Sequence, residues 1–196
     1  MTTIAIIDFA HCGTTMCAGI FEIFGIPMVN DRFQPIKRED WEIMEALQKG
    51  EEAFAEVVRR RDAEHKMWGF KFPGAWKFAS AMRAHLQDPV YLAIWKDPIS
   101  VTRRRFGTSN RQWLRKCCNT CRQFKRSMNG IYASGLPVHT LSYHEAIVTP
   151  GQFVRHLAEL AGTHPTAQQL DRATSYIQPS PGDGRRAPYP DVTQWL

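Results

Sequence analysis

Residues 4–28 read IAIIDFAHCGTTMCAGIFEIFGIPM, and their order decides the fold. An apolar run over 4–9 stops at a short loop, Ala10-His11-Cys12-Gly13-Thr14-Thr15. A helical pattern follows at once over 14–25, with Met16, Ile20, Ile23 and Phe24 recurring at three- and four-residue spacing. A strand, a tight loop with glycine and a helix opened by threonine make the geometry of an anion site. The free N–H groups of a helix start point at the ligand, and the helix dipole favours negative charge there. A phosphate or sulfate is the natural guest. The loop is not a Walker A sequence, because no Gly-Lys-Ser/Thr follows at the required spacing. That argues against ATP or GTP and for another phosphate-bearing ligand. The plainer alternative is a strand-to-helix turn with a threonine cap.

Outward from this unit, strand and helix patterns alternate. Amphipathic helices are predicted over 37–48 and 51–66, a short strand over 67–71, a helix over 74–86 and a buried strand over 90–95. Pro98 suits the first turn of a further helix. A long basic helix over 109–133, broken by Gly130 or Gly135, precedes a strand over 137–142 and helices over 150–161 and 166–176. The expectation is an α/β fold in three layers, α/β/α, with a parallel sheet between helices. The loops at 10–15, 71–74, 96–98 and 143–145 should then meet at the carboxyl ends of the strands, where such sheets bind ligands. One domain over 1–196 is expected, with an irregular Pro- and Gly-rich tail from 177 onward.

Composition excludes several classes. A chain of 196 residues that is 43% hydrophobic can build a core and is not a disordered one. No apolar run reaches membrane-spanning length, and Met-Thr-Thr leads straight into a strand with no basic n-region, so a cytoplasmic location is expected. Five cysteines, Cys12, Cys17, Cys117, Cys118 and Cys121, suit a reducing compartment better than a disulfide framework. Cys118-x-x-Cys121 lacks the second pair that a zinc site needs, so no metal is expected. Net charge is +6, and residues 96–126 carry ten lysines and arginines against Asp97 alone, which implies an anionic partner.

The four loops, in this order, resemble the sulfotransferases that use 3′-phosphoadenosine-5′-phosphosulfate (PAPS), closest to the small bacterial and phage members with their P-loop-containing nucleotide hydrolase-like fold. The family's phosphosulfate loop, P-[RK]-S-G-T-[ST], stands here as Ala10-His11-Cys12-Gly13-Thr14-Thr15. Its W-G-x-K-D-P-R stretch stands as Trp68-Gly69-Phe70-Lys71-Phe72-Pro73-Gly74. The segment that binds the 3′-phosphate, R-D-P-x-x-V-x-x-S, stands as Lys96-Asp97-Pro98-Ile99-Ser100-Val101-Thr102-Arg103-Arg104. A fourth, Y-E-D-L before a Pro-initiated helix, stands as Tyr143-His144-Glu145-Ala146 with Pro150.

The resemblance implies transfer of a sulfo group from PAPS, leaving PAP, to a hydroxyl or amine of a small-molecule or saccharide acceptor, with no metal. It implies that His11, Cys12, Gly13, Thr14 and Thr15 cradle the phosphosulfate and that Lys96, Arg103 and Arg104 hold the 3′-phosphate. Lys71 and His11 would serve catalysis as cations near the reacting group. The family places an acid or histidine near the acceptor as base, and Asp31, Glu39 and Asp40 follow the first helix; Asp40 is taken for this role. The plainer reading of all three is helix-start capping.

The chain departs from the family at His11 for Lys or Arg, Lys96 for Arg and Arg104 for Ser. Cys12 reads as a small loop residue in the place of Ser; the sequence does not give its reactivity, though a helix start by itself would lower a thiol's pKa. A binding-only relative that holds PAPS or PAP without turnover is therefore the second reading. A nucleic-acid-binding module built on the basic helix is the third, ranked last because no recognised motif accompanies it. Trp41, Trp76, Trp95 and Trp113 are expected in the core or over the pockets.

Overall fold

Strand β1 (Thr2–Ile6) is apolar on both faces, and both faces are used. Ile4 and Ile6 point into one core with α1 (Thr14–Ile23), while Ala5 and Ile7 point into a second. Such continuous apolar strands belong to parallel sheets covered on both sides. The computed structural model describes residues 1–9, 11–28, 39–106 and 112–177.

β1 pairs in parallel with β2 (Met67–Lys71) on one side and β3 (Pro89–Trp95) on the other. β3 pairs in parallel with β4 (Val138–Ser142), so the order is β2-β1-β3-β4. The chain moves outward from β1 to β2, then returns to lay β3 on the opposite side of β1. That reversal opens a crevice beyond the carboxyl ends of β1 and β3.

The second core is closed by α2 (Trp41–Lys49), α3 (Glu51–Glu64) and α4 (Ala79–His85), through Ile43, Leu47, Phe54, Val58 and Met82. The first is closed by α1 with α7 (Tyr143–Val148), α8 (Pro150–Leu160) and α9 (Ala167–Tyr176). α5 (Pro98–Phe106) contributes Val101 to that first core. α6 (Trp113–Ser134) touches both sides: Phe124 joins the first core, and Gly130 lies against Trp76 of the second.

The three-layer α/β/α expectation stands, with corrections at element ends. β1 starts two residues before the expected 4–9 and stops at Ile6; past it the Ile7 N–H still donates to the Leu92 carbonyl, and the Ile94 amide is then taken by the Asp8 side chain instead of a backbone carbonyl. The helix expected over 74–86 opens as a 3₁₀ turn, Ala75–Phe78, after Gly74 at φ 94°. Gly130 does not break α6. A Cβ there would stand 2.2 Å from the Trp76 ring, so glycine lets the helix pass this indole; α6 ends instead at Gly135, φ 64°. The loop expected at 143–145 is the first turn of α7, capped by the Ser142 hydroxyl, which accepts from the Glu145 amide. Trp41 is exposed rather than buried, and Trp68 is the indole that the second core encloses. Ala10, Asp31, Arg111 and the tail from 178 lie outside the described residues.

Candidate active site at the carboxyl edge of the sheet

The loop after β1 turns sharply. His11 has φ 73° and Gly13 φ 114°, both left-handed, which costs an ordinary residue and suits glycine. Gly13 is also sterically required: a Cβ would stand 2.6 Å from Tyr143 Cδ2 and 3.2 Å from Ile94 Cδ1. The loop is therefore pressed between β3 and the first residue of α7. From it α1 starts with no side-chain cap; its first-turn backbone bond runs from Cys17 N–H to Gly13 C=O at 3.1 Å. An uncapped helix start behind a glycine turn presents amides and a positive dipole end to the crevice.

Lys71, at the end of β2, reaches this start. Its Nζ donates to Thr15 Oγ1 at 3.2 Å and stands 3.8 Å from Glu39 Oε1. The ammonium is almost wholly buried, so its charge acts in a low dielectric. Lys96, just past β3, lies with Nζ 4.2 Å from the centre of the Tyr143 ring, a cation–π contact on the residue that also wedges Gly13. Asp97 opens α5 by accepting from the Ser100 amide at 2.7 Å. Partial burial opposes the ionised form of Asp97, yet the Ser100 contacts and the Lys96 charge hold its pKa below the usual value.

Cys12, Gly13, Thr14, Thr15, Lys71 and Lys96 are thus brought to one edge. Arg103 and Arg104 sit in the last turns of α5, the first exposed and the second half-buried. His11 is exposed on the rim of the loop.

Two local readings change. Cys12 is fully buried, and burial followed by the neighbouring Asp8 pushes its thiol up to about 12, opposite to the lowering that a helix start alone would give. Asp40 is turned away from the crevice. Its carboxylate caps α2 by accepting from the Ile43 amide and is clasped by Arg61, Nη1 to Oδ2 at 2.5 Å and Nη2 to Oδ1 at 3.0 Å. Both partners are about 2% exposed or less. Only its backbone meets the site, the Asp40 N–H donating to the Lys71 carbonyl at 2.9 Å. That bond places the preceding residue, Glu39, beside the Lys71 ammonium.

The architecture has solved counterparts. The sulfotransferase domain of the Synechococcus PCC 7002 olefin synthase superposes with a TM-score of 0.59 at 13% identity, over 99% of this chain and 82% of that one. The sulfotransferase domain from the curacin biosynthetic pathway gives 0.53 at 13%, over 90% and 78%. A retinol dehydratase, solved in complex with retinol and PAP, gives 0.51 at 12%, over 90% and 64%. The chain has the sulfotransferase fold. By sequence it matches no family model and no curated protein.

Within this sulfotransferase fold, three residues of the site carried little signal in the sequence. Asp8 looked like one more residue of a strand, yet it is wholly buried at the end of β1 and accepts from the Ile94 amide at 2.6 Å. Tyr143 was visible as part of a motif, but its wedge against Gly13 and its contact with Lys96 are matters of packing. Glu39 differs from Asp40 only in which side of a helix cap it falls. Among the described residues no group of three or more His, Cys, Asp or Glu is arranged to hold a metal ion, and no helix is long and apolar enough to cross a membrane.

Proposed function

We propose that the chain, as one sulfotransferase-like unit, binds PAPS or PAP in the crevice and transfers the sulfo group to a hydroxyl or amine of a small-molecule or saccharide acceptor. The observation that carries this reading is the buried Lys71 ammonium at 3.2 Å from Thr15 Oγ1, at the mouth of an uncapped helix start on a sulfotransferase fold. Lys71 is already faced by Glu39 at 3.8 Å, and both its charge and the dipole of the helix start beside it favour a ligand anion at this edge. The residues fit such a ligand: amides of 13–15 for the phosphosulfate, Lys71 for charge at the reacting end, and Lys96 with Arg104 for the 3′-phosphate.

When bound, PAPS supplies an activated sulfo group and PAP as the leaving group. The chain's part is positioning and charge. Loop amides and the Thr15 hydroxyl hold the equatorial oxygens, and Lys71 donates where negative charge develops, as in phosphoryl transfer. The acceptor must lose a proton as its oxygen or nitrogen attacks sulfur. We assign that proton to Glu39 in place of Asp40, since Asp40 is committed to Arg61 and Glu39 is about 29% exposed beside Lys71. None of the five cysteines is in a disulfide, which suits the reducing, cytoplasmic setting proposed here.

The test is transfer of labelled sulfo group from PAPS to hydroxyl- and amine-bearing acceptor panels, with PAP binding followed by calorimetry. Binding of PAP and turnover are expected; absence of PAP binding would sink the reading. A second reading, binding without turnover, is favoured by one observation: the loop's basic residue is His11, whose charge depends on pH. PAP bound with no acceptor sulfated would support it.

A further inference from the structure

Asp8 lies where β1 leaves the sheet, three residues before His11, and is completely buried. Its Oδ2 accepts one hydrogen bond, from the Ile94 amide. Its Oδ1 meets no hydrogen-bond partner among the described residues. An ionised carboxylate presents two oxygens and about four acceptor sites. Buried with only the Ile94 amide and its own backbone N–H as donors, it is poorly solvated by the protein. A neutral carboxyl needs less: one oxygen accepts, and the other carries the proton.

Around Asp8 stand Lys71 from β2, Cys12 from the loop and Cys17 from α1, while β3 offers the Ile94 amide. Lys71 links Asp8 to the anion site, since its charge acts on Asp8 while its Nζ touches Thr15. Farther out, Glu39 faces Lys71, and Lys96 and Asp97 act on Cys12. Burial holds the Asp8 carboxyl well above the usual carboxylate range, against the pull of the Ile94 amide and of Lys71. With Asp8 neutral, the Lys71 charge is left for an incoming anion. With Asp8 ionised, that charge is cancelled from beneath and the loop faces a like charge.

We infer that Asp8 is a positioning residue that couples anion binding to a proton: with Oδ1 protonated the loop 11–15 holds its anion, and ionisation of Asp8 releases it. The proton comes from solvent and returns to it. The inference rests on the proposed function only in the choice of PAP as probe.

The experiment titrates PAP into the full chain across acidic to alkaline pH, in two buffers of different ionisation enthalpy. It uses a His11→Gln background so that the imidazole does not contribute. Affinity should fall by about tenfold per pH unit above the free-state pKa of Asp8, with net proton uptake on binding. With Asp8→Asn added, affinity should become flat in pH and exceed the parent's at the alkaline end. The same slope with Asn at position 8, or no proton uptake in the parent, overturns the inference. Should Asp8→Asn fail to fold, the carbon-13 carboxyl resonance of Asp8 in the unsubstituted chain decides: its titration midpoint should lie above the ordinary carboxylate range and move higher when PAP is added, and a midpoint that PAP leaves unmoved overturns the inference. If PAP does not bind, the ligand reading has failed. Inorganic sulfate in the same pH series then tests Asp8 by itself, and a pH-independent sulfate affinity overturns the coupling.

Discussion

Glu39 and Asp40 are adjacent carboxylates with opposite circumstances. Asp40 has exchanged water for Arg61, and burial raises its pKa in spite of that guanidinium. Glu39 keeps one side in solvent and the other near Lys71. Removing one member of a buried pair leaves the other charge uncompensated, so Arg61→Ala should destabilise the fold by about 3–5 kcal/mol in urea unfolding. Glu39→Gln should abolish most sulfo transfer while PAP still binds, at least as tightly as before because a negative charge 3.8 Å from Lys71 Nζ is removed; equal transfer rates would remove Glu39 from the mechanism. Lys71→Ala should weaken PAP by roughly ten- to a hundredfold in calorimetry, the worth of a charged hydrogen bond of ~1.5–3 kcal/mol. His11→Arg should flatten any alkaline fall in turnover that the imidazole causes, since guanidinium stays charged. At this scale the sequence named Gly13, Thr15 and Lys71 correctly as neighbours, because a glycine turn, a helix start and a strand end each have local signatures. It took Asp40 rather than Glu39 as the base, because the difference between them is a contact with Arg61 some twenty residues away.

Among the elements, α7 matters most to the site. It starts at Tyr143, which wedges Gly13 and carries Lys96, so the cap that sets its first turn also sets the loop. Ser142→Ala should cost about 1 kcal/mol as a lost N-cap in thermal unfolding and should weaken PAP binding as well. A lost cap with no effect on PAP would uncouple α7 from the loop. α5 adds a charge test. If Arg104 meets the 3′-phosphate, Arg104→Ala weakens PAP far more than adenosine-5′-phosphosulfate, which lacks that phosphate. Equal losses would place Arg104 elsewhere. The period of α1, the proline start of α5 and the length of α6 are readable because they follow from spacing within one helix. The six-residue α7 is too short to show a period, and its existence depends on Tyr143 finding a place against the loop.

Taken whole, the molecule is divided by charge. α5 and α6 carry eight of the 25 lysines and arginines and none of the 19 acids, so the remaining residues together carry −2. The basic side begins at Lys96, next to the loop, which favours anionic ligands at this edge over the rest of the surface. The pH dependence of stability has two limbs. Asp8 has a raised pKa in the fold, so the stability it confers is complete below the ordinary carboxylate pKa and is lost as pH rises through its folded value. Glu42 and Asp97 are lowered, so their contribution is present above the ordinary value and is lost on acidification. Asp8→Asn should therefore flatten the alkaline side of a melting-temperature profile and leave the acidic side alone. A change confined to the acidic side would mean that Asp8 is ionised in the folded chain.

The sequence by itself determined the alternation of strands and helices, the parallel sheet and the order of the loops that meet at its edge. Those properties are written in local periodicity, in glycine and proline placement, and in which strands are apolar on both faces. Only the tertiary structure decided which carboxyl is fully buried with one oxygen unpartnered among the described residues, which is clasped by arginine and which is left beside Lys71. It also decided that Cys12 is shielded rather than reactive. Charge states of buried groups depend on the distance to partners far along the chain and on the water removed around them. Neither quantity has a local signature, so both had to wait for the packing of β1 against β3 and of α7 against the loop.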